Sequence, residues 1–426
     1  MNILRSARIE GLWGDKDKRV ELSFDPSVNF LIGANGSGKT TVLNLIASAL
    51  SSDYDGLVRS PFSMLECVLY SPKTDAETTI GVFRNADEHS PRTSFNYVIH
   101  SKTDSHQNFE LISPTPRYVL HSSVRQRNLL SSQFFDGDES PINELVNVKW
   151  VSVHRTPSKS RSDDRTSTES SVDRRLTSLS NQLVRYFSKL AAFRERETTR
   201  FLRQVLSALV YNASEFNPLA EHVEAVDLPH LQASIEDLIG TFLGAGAAKT
   251  TDRLKEHFQL AAKAQAASKG EGMRLQELIA LAAVLPMQRM VEEWKNTQAR
   301  QEDIARPQTN FMEVINSMYT NKVLSLTQRN ELEIELRSGR HLPLSELSSG
   351  EKQLLILFSE ALLQERKEFI YIADEPELSL HVNWQEQLTR NLLKINPNAQ
   401  VIFATHSPDI VSQFGKNTID MERSIS

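Results

Sequence analysis

Apolar and polar residues alternate from Met1 to Glu10, and from Ile3 to Ile32 the pattern reads as short strands. The pattern predicts short strands at residues 20–24 and 28–32 on either side of the turn Asp25-Pro26-Ser27. A glycine-rich loop follows directly, then a helix over 41–50. Residues 55–121 carry further strand patterns, such as 78–83 and 96–100, and predict an antiparallel lobe beside that loop. A strand pattern at 148–153 runs into 157–171, which is crowded with Ser, Thr, Asp and Arg and almost lacks apolar residues.

Between about 172 and 305 the period becomes helical: Leu176, Leu179, Leu183, Tyr186, Leu190 and Phe193 recur at three-four spacing. Further helices are expected at 231–243, 251–266 and 273–305. Asn217-Pro218, Pro229, Lys269-Gly270-Glu271-Gly272 and Pro286 interrupt the pattern, so a compact insert or short hairpin is expected rather than long coiled-coil arms. Strand patterns return at 323–326 and 332–336, and the apolar runs 370–373 and 401–404 suit a buried parallel sheet. The expected fold is α/β: one head with a mixed sheet core and an antiparallel β lobe, split by an α-helical insertion. Its expected divisions are an N-terminal half at 1–156, linker and insertion at 157–305, and a C-terminal half at 306–426.

A chain of 426 residues is too long for one ordinary core. Its net charge of −6 is unlike that of a dedicated nucleic-acid module, so any such contact needs a local patch. Residues 174–203 are rich in Arg and Lys, whereas 211–240 are acidic with neither, and the two segments can neutralise each other. Cys67 is the only cysteine, which excludes an internal disulfide and a multi-thiolate zinc site. The first residues have no basic-then-apolar leader, and no run of apolar residues reaches membrane-spanning length. A cytoplasmic protein without a membrane segment is expected.

The loop reads Gly33-Ala34-Asn35-Gly36-Ser37-Gly38-Lys39-Thr40, followed by Thr41, after an apolar strand and before a helix. This is the full phosphate-loop pattern in its required context. Its glycines let N–H groups turn onto phosphate oxygens at a helix N-terminus, Lys39 offers a cation to the β and γ phosphates, and the Thr40 hydroxyl suits Mg²⁺. A second strand ends in Asp374-Glu375-Pro376-Glu377, where α/β sheets present catalytic groups. Asp374 suits the magnesium shell and Glu375 the attacking water; taken alone, the run also reads as an acidic strand-end turn. Leu347-Ser348-Ser349-Gly350-Glu351-Lys352-Gln353 precedes an apolar helix, so Ser348 either attracts an anion there or simply caps the helix.

Together with Thr405-His406-Ser407-Pro408, these motifs resemble, in order, the set of the ABC ATPases. The resemblance implies MgATP bound between two heads. One protomer supplies the phosphate loop, Asp374, Glu375 and the switch histidine His406; the other supplies Ser348, Ser349 and Gly350. It also implies a magnesium-sensing glutamine, for which Gln107, Gln126 and Gln133 all stand open. Arg155 is a candidate for phosphate or subunit contact and also reads as an exposed domain-edge arginine. His381 is a candidate contact across the dimer and reads equally as an exposed helix-start residue.

The long insert and the Thr-His-Ser-Pro switch are similar to the SMC, RecF and OLD-like branch. Only twenty residues follow His406, too few for the fused Toprim nuclease of OLD-like enzymes. The chain most resembles the ATPase subunits of PARIS-type phage defence, with PtuA-like Septu ATPases next. That likeness implies an ATPase, assembled as a dimer of heads or a larger homo-oligomer such as a hexamer, that holds a separate Toprim nuclease effector and answers a phage-encoded trigger. The alternative is a DNA-repair or DNA-tethering ATPase acting on duplex DNA.

Overall fold

The structure, a computed structural model, describes residues 2–86, 93–101, 107–112, 133–134, 140–151, 170–208, 226–267, 274–412 and 414–426. The described chain divides into two compact units, residues 1–186 with 309–426 and residues 187–308.

Three sheets organise the larger unit. Its centre is a five-stranded sheet in the order β15-β3-β14-β13-β9, built from Val28–Ile32 (β3), Val148–Val151 (β9), Phe369–Asp374 (β13), Ala399–Ala404 (β14) and Thr418–Asp420 (β15). Every pairing in it is parallel. Strands covered on both faces need apolar side chains at every position, and β14 is buried throughout. Its one polar interior residue, Gln400, is satisfied: the Nε2 group donates to the carbonyls of Leu4 and Asp25, and Oε1 accepts from the Leu4 N–H.

The second sheet has seven strands in the order β2-β1-β4-β5-β6-β7-β8: Ile3–Glu10 (β1), Arg19–Ser23 (β2), Met64–Ser71 (β4), Ala76–Ala86 (β5), Thr93–Ser101 (β6), Gln107–Leu111 (β7) and Gln133–Phe134 (β8). It is antiparallel except for its last pair. One face is buried, so its strands alternate; β2 runs exposed, buried, exposed, buried, exposed. The helix Lys39–Leu50 (α1) shares one apolar core with both sheets, joining Leu43 and Ile46 to Leu65 and Ile80 on one side and Ile372 and Ile402 on the other.

The helices Tyr54–Arg59 (α2) and Ile142–Leu145 (α3) are short. Ser171–Ala208 (α4) is a single helix, as the three-four spacing predicts. Leu228–Leu243 (α5), Ala248–Ala267 (α6), Leu275–Ala282 (α7) and Val284–Met318 (α8) follow. Within the smaller unit, Leu231, Ile235, Phe258, Ala261 and Leu281 form one core.

Two boundaries differ from expectation. The pattern expected over 273–305 is two helices, and Pro286 falls in the first turn of the second, where its missing N–H costs no intrahelical bond. The second helix also runs on through Pro307 to Met318. Burial of Phe311, Val314, Ile315 and Met318 offsets the one hydrogen bond proline removes.

The larger unit resumes with the antiparallel sheet Lys322–Leu326 (β10), Leu332–Leu336 (β11) and His341–Leu342 (β12). Ser349–Leu362 (α9), Val382–Ile395 (α10), Pro408–Val411 (α11) and Met421–Ser424 (α12) complete it. Among the described residues no helix is long and apolar enough to cross a membrane.

Candidate nucleotide site

The parallel order decides what the strand ends bring together. β14 lies between β3 and β13, so the loops leaving the three strands emerge side by side at one edge. Neighbouring strands lie about 4.8 Å apart, which leaves a space roughly 10 Å across between the loops after β3 and β13. His406, the second residue after β14, lines that space.

Gly33 to Gly38 turn the chain from β3 into α1, which starts at Lys39. Gly38 sits at φ +90°, and a Cβ there would come within 2.8 Å of the Trp13 ring, so glycine is required twice over. Lys39 is buried, and its Nζ donates to the carbonyls of Gly33 and Ala34 at 2.9 and 3.1 Å. Burial pushes the ammonium below its ordinary pKa, while the surrounding carboxylates of Glu375, Asp374, Glu422 and Glu377 oppose that shift. The Thr40 hydroxyl donates to Asp374 Oδ1 at 2.9 Å, joining the loop to the end of β13.

Glu375 follows with φ +47°, a left-handed conformation uncommon outside glycine, and its N–H donates to the Ala404 carbonyl at 2.8 Å. Trp13, Asn35, Gly36, Gly38, Lys39, Thr40, Thr41, Glu375 and His406 line one cavity of about 290 Å³. Phosphate-loop amides, a buried ammonium, a hydroxyl and the Glu375 carboxylate on one cavity suit a polyphosphate with a hard cation. The donor set fits magnesium: Thr40 Oγ1 and Asp374 Oδ1 are adjacent oxygen donors, and an ion of this kind takes one or two protein oxygens beside phosphates and water.

Ser348, Ser349 and Gly350 do not line this cavity. Ser348 caps α9 in a reciprocal box: its Oγ accepts from the Glu351 N–H at 3.3 Å, and Glu351 Oε2 accepts from the Ser348 N–H at 2.7 Å. Glu351 is nearly buried and also takes Lys322 Nζ at 2.6 Å. Burial drives the Glu351 carboxyl up, but Lys322 and Ser348 outweigh it and hold it below the ordinary carboxylate range. Ser348 and Ser349 stay exposed at the helix start, whereas Gly350 is buried against the Ser379 carbonyl and the Trp384 ring.

Residues 28–412 match the AAA_21 family, described as "AAA domain, putative AbiEii toxin, Type IV TA system". The chain belongs to that family. Its fold is also similar to SMC heads. These include the Smc head domain with an extended coiled coil bound to the C-terminal domain of ScpA from Pyrococcus furiosus (14% identity, 97% of this chain and 92% of that chain, TM-score 0.40). The Smc head with a coiled coil and joint from Pyrococcus yayanosii gives 12%, 97%, 93% and 0.42, and the SMC head from Thermotoga maritima 13%, 96%, 91% and 0.33. At these scores the likeness is loose.

In this AAA_21 chain the remaining candidates divide. His381 caps α10, its Nδ1 accepting from the Asn383 N–H at 3.4 Å, and is exposed. Gln107 opens β7 and does not line the cavity. The side chain of Gln133, together with Gln126 and Arg155, lies outside the described residues. Sequence reasoning missed three residues beside the loop. Trp13 stands half exposed at φ +60° with Lys18 Nζ 4.8 Å from its ring centre. Glu422, from α12, accepts from the Ala34 N–H at 3.1 Å. Glu377 lies behind His406. Trp13 and Glu422 reach the loop only through the sheets, so no local spacing marks them; Glu377 stands in a motif already noticed, and its acidity two residues after Glu375 was the available signal.

Proposed function

We propose that this chain is a magnesium-dependent ATPase of the ABC type whose heads bind ATP between two copies, and that it serves as the sensor or regulatory subunit of a bacterial anti-phage system. The observation that carries the ATPase reading is the Thr40–Asp374 hydrogen bond beside Lys39, Glu375 and His406 on one cavity. Amides of residues 36 to 41 and the Lys39 ammonium bind the phosphates. Thr40 and Asp374 would hold a magnesium ion there, which would neutralise phosphate charge. Glu375 takes a proton from the attacking water, and His406 contacts the γ-phosphate and orients that water.

Self-association is supported by the location of Ser348, Ser349 and Gly350 outside that cavity, at a helix start suited to an anion where the two serines are exposed. A second copy supplies them to the γ-phosphate. The defence reading is supported by membership in a family described by an abortive-infection toxin name. In that reading the ATP-bound assembly, a dimer or a larger ring, holds a separate Toprim nuclease and releases it when a phage product arrives.

Replacing Glu375 by Gln tests the core of the proposal. Turnover falls at least about 100-fold, MgATP remains bound, and association of heads, read by mass photometry, strengthens. Unchanged turnover in this variant refutes the assignment. A second reading, DNA tethering, is favoured by α4, where Arg196, Arg200 and Arg203 are exposed within about 60° of one helix face. Salt-sensitive duplex binding that stimulates hydrolysis distinguishes it.

A further inference from the structure

The acidic run Asp374-Glu375-Pro376-Glu377 offers three carboxyl groups, and the proposed hydrolysis uses two. The third is the most enclosed: Glu377 is 8% exposed. Its Oε1 accepts from the Thr405 hydroxyl at 2.7 Å and from the His406 backbone N–H at 2.9 Å. Its Oε2 has no hydrogen-bond partner among the described residues. Enclosing a carboxyl group is costly, and an apolar side chain of similar size fills such a space at lower cost. Packing alone therefore gives no reason for glutamate here.

The two hydrogen bonds supply one. β13 and β14 run in register to Asp374 and Ala404, and the Glu375 N–H adds one more bond to the Ala404 carbonyl. There the ladder ends, and the next two residues after β14 are Thr405 and His406. Glu377 continues the connection by side chain, from the loop that carries Glu375 to the turn that carries His406. On its other side that turn is tied by the Thr405 N–H to the Leu31 carbonyl of β3, two residues before the phosphate loop. The turn is thus held between the two strands whose ends bear the rest of the site.

We propose that Glu377 is a positioning residue for hydrolysis: it sets the place of the His406 ring by holding Thr405 and the His406 backbone, and it makes the Glu375 loop and the His406 turn move as one. The inference rests on the role proposed for His406. It assigns Glu377 an effect on turnover rather than on ATP affinity, because neither hydrogen bond reaches the phosphate loop. An effect exerted instead through charge on Lys39, whose field Glu377 shares, acts on affinity and is lost equally in Glu377→Gln and Glu377→Ala.

The test is a double-mutant cycle in steady-state ATPase assays on the full chain, with nucleotide binding and thermal melting of each variant. Glu377→Ala lowers kcat about tenfold or more and leaves KM within about twofold, as expected for a misplaced group. Glu377→Gln keeps an oxygen that accepts both bonds and retains at least about half of wild-type kcat. Adding Glu377→Ala to His406→Ala lowers kcat by no more than about twofold further, since the two act as a unit. Multiplying losses overturn the inference, as does a Gln variant as slow as Ala, or a change in KM at unaltered kcat. Where Glu377→Ala shows no cooperative melt, Thr405→Ala removes the other end of the bond and takes its place in the cycle with the same expectations. Wild-type kcat in His406→Ala overturns the role of His406 itself, and with it the reading beneath; multiplying losses overturn only the part given to Glu377.

Discussion

Removing Lys322 is expected to destabilise the head at neutral pH and to do so less as pH falls. Lys322 Nζ and Glu351 Oε2 are 2.6 Å apart with side chains 17% and 12% exposed, so the pair is largely out of water. Lys322→Ala leaves a nearly buried carboxylate without its cation, a change that costs about 3 kcal/mol. For a unit of this size that corresponds to a fall in Tm of about 5 °C or more. The pH dependence follows from the depressed pKa of Glu351. A folded-state pKa below the unfolded one stabilises above the unfolded value of about 4.3 and is lost as pH falls through the folded value. In the variant only the Ser348 bonds remain to oppose burial, so this stabilisation shrinks, and the gap between variant and wild type narrows as pH falls from 7 towards 4. Thermal melts of both proteins at pH 7 and pH 4 measure it. Lys322→Met combined with Glu351→Gln neutralises both partners and recovers most of the loss at pH 7. A Tm within 1 °C or so of wild type at pH 7, or a gap that does not narrow on acidification, refutes the account.

Two further outcomes follow from the site. Lys39→Ala removes the buried ammonium facing the loop carbonyls and is expected to abolish detectable MgATP binding by calorimetry while the fold melts normally. Gly350→Ala places a Cβ within 2.5 Å of the Ser379 carbonyl, a backbone atom that cannot step aside, so it costs about 1–3 kcal/mol by denaturant unfolding. Because the same shift moves Ser348 and Ser349, head association in ATP weakens in parallel.

The nucleotide loop was legible because its chemistry is local. Consecutive amides, a glycine at each positive φ and a lysine at the first helical position must be neighbours in sequence to be neighbours in space, so Gly33 to Thr41 are read in one pass. Asp374, Glu375 and His406 were legible for a related reason: each stands within two residues of the end of an apolar run, 370–373 or 401–404, and such a run is what a doubly covered parallel strand requires. Helix ends were harder. The chain passes Pro307 because the core that receives Phe311 and Ile315 is assembled from elsewhere, and local propensity does not see that burial.

What the sequence by itself determined is the set of groups and their local geometry: a phosphate loop, two strand-end carboxylates, a histidine after a strand, a capped helix at Ser348. Only the tertiary structure decided how they meet. The order β3-β14-β13 places His406 between the loop and Glu375, although the intervening strand in space is the last of the three in the chain. The same folding brings Trp13 against Gly38 and carries Glu422 to Ala34 from 388 positions away, and it alone shows Glu377 holding the His406 turn. The physical reason is that hydrogen-bond ladders and buried faces set strand order over the whole sheet at once, while sequence patterns report only which face each segment must hide.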